Sequence, residues 1–312
     1  MATARPKNST NVRLMKWAIE VADLISPTLA SELALRAFLT PARPRRPARE
    51  QAVLASATPI AMSAGGLPIA AWSWGEVDAP AVLLVHGWAG RGAQLGALVP
   101  ALVARGRRVV TWDAPAHGDS PGRTTTLASM AEVLRAVATR VGPVEAVIAH
   151  SFGAAATTIA LARGLTAERV VYVAPLYTIG GTVDRFARTL GLSSGARRDF
   201  DQALAHANLA ARADVEGAHL APAMTTPLYV VHDRDDREVP YEEGVATVRA
   251  WPGARLLTTG GLGHRRVLDD PEVIDAAVGF ATGDTPSIEV VLDEATRLER
   301  ELANPDRRRV RA

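Results

Sequence analysis

The sequence predicts an α/β protein: a doubly wound, mostly parallel sheet with a small helical cap insertion and an N-terminal helical extension. Two observations and one rule of chain topology predict it. From residue 51 onward, short apolar runs alternate with stretches whose apolar residues recur at helical spacing, the pattern of parallel strands joined by crossover helices. The run "AVLLVHG" (81 to 87) is apolar without alternation, as a strand covered on both faces requires. Right-handed crossovers then reduce the topologies to the doubly wound one.

Composition supports a sizeable core. The 312 residues are 48% hydrophobic and 22% charged, far from the balance of a disordered chain. The net charge is +2, but residues 1 to 50 hold nine Lys/Arg against four Asp/Glu, so the remainder is mildly acidic. The basic surplus is local and no nucleic-acid partner is expected. The absence of cysteine excludes disulfides, a thiol nucleophile and thiolate metal sites. Lys16, Glu20 and Asp23 interrupt the first apolar stretch before it can form a signal-peptide core. No segment approaches the roughly 18 apolar residues of a spanning helix. A cytoplasmic location is expected and membrane contact is not. The oligomeric state is left open.

The elements follow in order. "TNVRLMKWAIEVADLI" (10 to 25) places Leu14, Met15, Ala18, Ile19, Ala22 and Ile25 at helical spacing. Ser26-Pro27 reads as an N-cap with proline at the first helical position, opening a second helix to about Leu39. "TPARPRRPARE" (40 to 50) is a proline- and arginine-rich connector, too polar and stiff for core. These make an extension over 1 to 50. Acidic Glu20, Asp23 and Glu32, with the break at Pro27, favour packing of this segment on the body or a second subunit over a lipid anchor using Leu14, Trp17 and Phe38.

The sheet domain is expected over 51 to 285. "TPIAM" and "LPIAAWSW" read as antiparallel strands about a Gly65-Gly66 turn. After "AVLLVHG" come a helix near 93 to 104, strand "RRVVTWD", helix "LASMAEVLRAVATRV", strand "VEAVIAH", a helix from Phe152 and strand "ERVVYVA". Residues 176 to 222 break the rhythm, and form the expected helical cap over the carboxyl ends of the strands, where ligands bind in open α/β sheets. Strand "PLYVVHD", a helix near 241 to 250, strand "ARLLTT" and a helix from Pro271 to Phe280 complete the domain. A helical tail is expected over 286 to 312.

Ser151, in "VIAHSFGAA", lies where a strand stops and a helix begins. It is either an N-cap or a nucleophile held at the positive end of the helix. Small residues are needed two before and two after it, and Ala149 and Gly153 stand there. The backbone N–H groups of Trp88, in "VHGWAG", and Phe152 are the candidate donors to an oxyanion. A serine needs a base. Among seven histidines, His264 follows a strand on the glycine-rich "TTGGLGH" loop and is best placed. His86 and His150 read as structural, His117 as ordering its own loop, and His206 and His219 as exposed. The carboxylate that fixes the base is sought in "VVHDRDDREVP", which offers Asp233, Asp235 and Asp236.

With "HGW", "DAPAHGDS", "AHSFG", "HDRDDREVP" and "GLGH" in this order, the chain resembles the α/β-hydrolase superfamily, over about residues 55 to 283, and its serine hydrolases of esterase type. The resemblance implies the α/β-hydrolase fold, a catalytic triad in the order Ser151, Asp236, His264, an oxyanion hole and no metal or organic cofactor. Asp236 is implied because similar sequences carry the acid three residues before a Val-Pro pair; Asp233 and Asp235 remain alternatives. Departures are Ala149 in place of a glycine and Asp233 after His232. The implied activity is hydrolysis of a small-molecule carboxylic ester, thioester or amide with a small or medium apolar acyl group. Acyl transfer or perhydrolysis on the same triad, and a silent binding scaffold, are the alternatives. His150, Phe186 and Leu190 are candidate pocket residues, with Ile179 and Val183 beside them.

Overall fold

The computed structural model describes residues 8–207 and 212–283. The expected tail helix over 286 to 312 lies outside the described residues. Eight strands form the main sheet: β1 (Thr58–Ile60), β4 (Ala71–Trp74), β5 (Ala81–Val85), β6 (Arg108–Trp112), β7 (Val144–His150), β8 (Arg169–Val173), β9 (Leu228–Asp233) and β10 (Arg255–Thr259). Their spatial order is β1-β4-β6-β5-β7-β8-β9-β10. β4 is antiparallel to both neighbours, and β6 through β10 are parallel. From β5 the chain crosses to β6, and from β7 it leaves the other way to β8. The switch point between β5 and β7 opens a crevice outside their carboxyl ends, where Gly87 and Ser151 follow the strands.

The central strands are buried almost throughout, and successive side chains alternate between two layers. Leu83, Val85, Val147, Ala149 and Tyr172 join one core, beneath α5 (Leu127–Val141), α6 (Phe152–Ala162) and α10 (Tyr241–Ala250). Val82, Leu84, Ile148, Val171 and Val231 join the other, beneath α4 (Val99–Ala104) and α12 (Pro271–Ala281). The period of two, on strands that are apolar on both faces, is what a sheet clad on two sides demands. α5 begins where Thr126 Oγ1 accepts from Ser129 N at 3.0 Å and stops at Gly142, whose φ is +102°.

Several segments differ from the sequence reading. Residues 92–98 form a 3-10 helix before α4 begins at Val99, because a glycine pair and Pro100 fit the expected helix poorly. "LPIAAWSW" divides in two. Its start, β3 (Leu67–Pro68), pairs with β2 (Ser63–Ala64) across the Gly65-Gly66 turn, and its end is β4. Pro68 has no N–H to continue the ladder.

The N-terminal segment folds as α1 (Asn8–Ile25) and α2 (Pro27–Leu39), and α3 (Ala48–Ala55) straddles the boundary expected at residue 50. The cap segment contains α7 (Ile179–Leu190), α8 (Ser194–Ala207) and the short α9 (Gly217–Leu220). Glu216 accepts from the N–H groups of Ile179 and Gly180 at 3.0 and 2.8 Å, neutralising the start of α7. α2 lies against α8: Thr28 Oγ1 donates to Asp199 at 2.8 Å, and Phe38 meets Phe200 edge-on at 5.8 Å between ring centroids.

The connector is more than a polar linker. Arg43 donates to the carbonyls of Ala116, Ser120 and Gly122 at 2.7 to 2.9 Å. Arg46 reaches Asp113 and Asp119 at 3.2 and 2.8 Å. Glu50 and Arg91 form a two-pronged ion pair, with both residues buried. Its charges read as solvent-facing in sequence because their partners lie far along the chain.

Glu50→Ala should therefore strand the Arg91 guanidinium in the interior. Breaking a buried pair in this way costs about 3–5 kcal/mol, measurable as a lowered urea midpoint at unchanged m-value. A loss below about 1 kcal/mol, the range of an exposed pair, would mean that Arg91 finds water.

Candidate active site

Ser151 sits at the elbow between β7 and α6 with φ +54° and ψ −121°. That is a strained backbone for a residue with a Cβ. The conformation is held by its own peptide: Ser151 N donates to Val173 O at 3.0 Å, and Ser151 O accepts from Ala154 N at 3.0 Å and Leu176 N at 3.3 Å. A Cβ on Gly153 would lie 2.6 Å from His86 O and 2.8 Å from Val85 O, so only glycine lets α6 approach β5. Although Ser151 occupies the N-cap position, its side chain makes no cap hydrogen bond. Its hydroxyl turns to His264 Nε2 at 3.0 Å.

His264 is brought over the sheet by the loop after β10 and lies on the one-turn helix α11 (Gly263–Arg266). Its Nδ1–H donates to Asp236 Oδ2 at 2.6 Å. Of the three candidate aspartates, only Asp236 makes this bond. Its other oxygen accepts from Glu238 N and Val239 N at 2.8 and 2.9 Å. Burial pushes the Asp236 carboxyl up, but hydrogen bonds from His232, His264 and Val239 N–H outweigh it and hold the group well below the usual carboxylate range. Asp233 and Asp235 shape the loop instead. Asp233 accepts from Thr259 Oγ1 at 2.7 Å and Leu262 N at 3.0 Å, and Asp235 accepts from Gly261 N at 2.8 Å.

His232 is the residue near the site that sequence reasoning passed over. It is fully buried, with Nε2 3.2 Å from Val239 O and 3.5 Å from Asp236 Oδ2. It backs the carboxylate from the strand side. Its signal was present as a polar residue closing the apolar run "LYVVHD".

His150, expected among the pocket residues, lines a polar cleft beside Ser151. The ring is buried, and its Nε2–H donates to the His264 carbonyl at 2.9 Å, so it fixes the backbone of that histidine. Leu190, also expected there, is buried in the core and lines neither space beside Ser151. It ends α7, a turn beyond Phe186 and on the side of the helix turned toward the core. Phe186 does line a cavity of about 410 Å³ with Ser151, His264, Phe38 and Trp88. Ile179 and Val183 face a second cavity of about 180 Å³, mostly apolar, with Leu127, Leu204 and Val215 and with Asp201 and Thr125 among its polar walls. The two cavities share Phe38, Trp88 and Phe152 as walls. On the other flank, a polar cleft of about 190 Å³ adjoins Ser151 and His264 and is lined by Glu50, Arg91 and Arg265.

Trp88 and Phe152 follow the ends of β5 and β7. Phe152 opens α6, so its N–H is among those a helix leaves unpaired. The turn carrying Trp88 abuts the serine: a Cβ on Gly87 would fall 2.9 Å from Ser151 Cβ. That turn is braced reciprocally. His86, on it, donates from Nδ1 to Gly87 O at 2.7 Å and accepts at Nε2 from Ala114 N at 2.9 Å. His117, on the 113–122 loop, donates from Nδ1 to Pro115 O at 3.0 Å and accepts at Nε2 from Ala89 N at 3.1 Å. Ala89 is itself at φ +54°. His117 thus orders a neighbouring turn as well as its own loop. No cluster of metal-ligating side chains occurs among the described residues.

The model of the alpha/beta hydrolase family matches residues 82–277. The chain belongs to the alpha/beta hydrolase family. Over 114 residues this hydrolase is 36% identical to the sn-1-specific diacylglycerol lipase ABHD11 of Mus musculus, a match covering 35% of this chain and 37% of that protein. The match therefore spans little more than a third of the curated relative. Among solved structures, the hydrolase resembles an esterase of Pyrococcus furiosus at a TM-score of 0.60 and 18% identity, covering 78% of this chain and 97% of that one. An esterase of Exiguobacterium antarcticum gives 0.57 and 16%, covering 72% and 99%. At these identities the likeness is one of fold.

Burial lowers the pKa of His86 to about 4 and of His117 and His150 to about 3. All three are neutral in the folded hydrolase and protonate more readily when unfolded. Their folded values lie below the unfolded one of about 6.5, so their stability contribution is complete above that pH and is lost as pH falls toward 4. Each should give the folding free energy a slope of about 1.4 kcal/mol per pH unit in that window. His117→Gln should make the slope shallower by one such increment in urea titrations at pH 6.5, 5.5 and 4.5. An unchanged slope would mean that His117 carries its proton in the fold.

Proposed function

We propose that this hydrolase cleaves a carboxylic ester through an acyl-enzyme on Ser151, with His264 as base and Asp236 as its carboxylate. The observation that carries the reading is the continuous line of hydrogen bonds from Ser151 Oγ through His264 to Asp236, at 3.0 and 2.6 Å. The serine proton passes to His264 Nε2 as Oγ attacks the carbonyl carbon, and Asp236 stabilises the imidazolium that forms. The N–H groups of Trp88 and Phe152 receive the developing oxyanion. The imidazolium then protonates the departing alcohol, and water repeats the sequence to release the acid.

Because His264 delivers that proton, the alcohol lies on its side, beside the polar cleft with Glu50, Arg91 and Arg265. The acyl chain lies beyond the oxyanion donors, toward the apolar cavity that Trp88 and Phe152 line and His264 does not. A cavity of about 150 Å³ holds a benzene ring, so 180 Å³ accommodates an acyl chain of about six carbons. An apolar acyl group on a polar alcohol is the substrate class favoured, and the name of the mouse relative makes glycerolipid esters the natural compounds to include.

Ser151→Ala should lower hydrolysis of p-nitrophenyl hexanoate by about 10⁴- to 10⁶-fold and abolish fluorophosphonate labelling while the melting temperature holds. Asp236→Asn should lose roughly 10⁴-fold in kcat. Asp233→Asn should act chiefly on stability, through the loop it supports. Labelling that persists in Ser151→Ala would remove Ser151 as nucleophile, and a larger kcat loss in Asp233→Asn would reassign the acid.

A further inference from the structure

Nine of the twelve exposed large hydrophobic side chains among the described residues lie on α1 and α2. The helix α1 is apolar on two sides. Ile19 and Ala22 are buried against the body. At 100° per residue, Leu14, Trp17, Val21, Leu24 and Ile25 fall within an arc of about 100° on the far side. They face solvent, with Leu14 at 63%, Trp17 at 61%, Leu24 at 89% and Ile25 at 74% exposure. Arg13, Lys16 and Glu20 border the stripe on one edge.

The segment is thus packed, as the acidic residues and Pro27 favoured, yet its packing uses only one face and leaves the tryptophan outside. A stripe on an 18-residue helix is about 27 Å long and 10 Å wide, or some 300 Å². A stable dimer needs about 800 Å² from each partner, so a second copy would gain too little from this face. A lipid surface needs only one helix face, provided charge attracts it. Residues 1 to 25 carry Arg5, Lys7, Arg13 and Lys16 against Glu20 and Asp23, a surplus of two positive charges toward the amino-terminal side, and Asp23 is turned to the body, where it accepts from Ser193 Oγ at 3.0 Å.

We infer that α1 docks this hydrolase on an anionic bilayer surface, with Leu14, Trp17, Val21 and Leu24 entering the headgroup boundary. The contact is interfacial: no helix among the described residues is long and apolar enough to cross a membrane. Docking would set α2 one helix from the lipid, and Phe38 of α2 walls the cavity that contains Ser151. The inference stands apart from the ester-hydrolase reading, since it concerns a face with no part in the proposed chemistry.

The test is co-sedimentation of the full chain with vesicles of phosphatidylglycerol and phosphatidylcholine, and with phosphatidylcholine alone. Wild type should sediment with the anionic vesicles and much less with the zwitterionic ones. W17S/L24S should bind the anionic vesicles about tenfold more weakly at an unchanged melting temperature, since both side chains face solvent. R13E, which alters no apolar contact, should lose roughly fivefold or more. Absence of binding, equal binding to both vesicle types, or wild-type binding by W17S/L24S would each overturn the inference. A solution dimer that W17S/L24S dissociates would assign the face to a second copy and overturn it equally.

Discussion

The site depends on one strained residue. Ser151 cannot hold φ +54° unless the surrounding backbone over-determines it, and three peptide hydrogen bonds to β8 and its following loop and to α6 do so. The cramped elbow dictates its neighbours. Gly153 lets α6 pass against the carbonyls of Val85 and His86, and Gly87 lets the next turn approach the serine. Ala149 is completely buried, and its methyl packs in the core beneath the helices, so the small-residue requirement is met there by alanine. Once the elbow is fixed, the hydroxyl projects clear of the sheet at the switch point, and the loops after β9 and β10 need only supply an imidazole and a carboxylate.

The second requirement is that the loops around the elbow hold still. Here the extension outside the family-matched region is built into the scaffold. Arg43 and Arg46 grip the 113–122 loop. That loop presents His117 to Ala89 N, and Ala89 lies next to Trp88. Glu50 meets Arg91 two residues further along the same turn. The proposed oxyanion turn is thus held at Ala89 by His117, whose loop Arg43 and Arg46 grip, and at Arg91 by Glu50, so that both supports draw on residues 43 to 50. A sheet domain cut at residue 51 would lose these contacts while keeping every residue of the Ser151–His264–Asp236 line.

Much of this was legible in the sequence, for identifiable reasons. The strand β7 and the helices α5 and α10 emerge with the expected bounds because their periodicities are unbroken and their ends carry caps, glycine or proline. Ser151, His264 and Asp236 meet because each lies in the short segment that follows the carboxyl end of a strand. What stayed hidden depends on partners distant in sequence. The arginines of the connector look solvated until Asp113, Asp119 and the carbonyls of the 113–122 loop are set beside them. Phe186 and Leu190 occupy one amphipathic helix, and spacing alone does not say which of them meets the cavity. The same limit applies to α1, where Leu14 and Ile19 belong to one helical pattern but only Ile19 is covered.

The histidines show how one residue type serves two ends. A neutral imidazole offers a donor and an acceptor on opposite edges of a rigid ring, so it can join two backbone segments that a shorter amide would not span. His86 and His117 are used in this way, each accepting from the other's loop, and burial keeps them neutral, as the bonds at both nitrogens require. His150 spends its N–H on the His264 carbonyl and is likewise neutral. His264 differs in having a carboxylate at one nitrogen and a hydroxyl at the other, so a proton gained from the hydroxyl side is balanced by the charge opposite. The histidine proposed as the base is therefore set apart by its partners, since all four rings are buried.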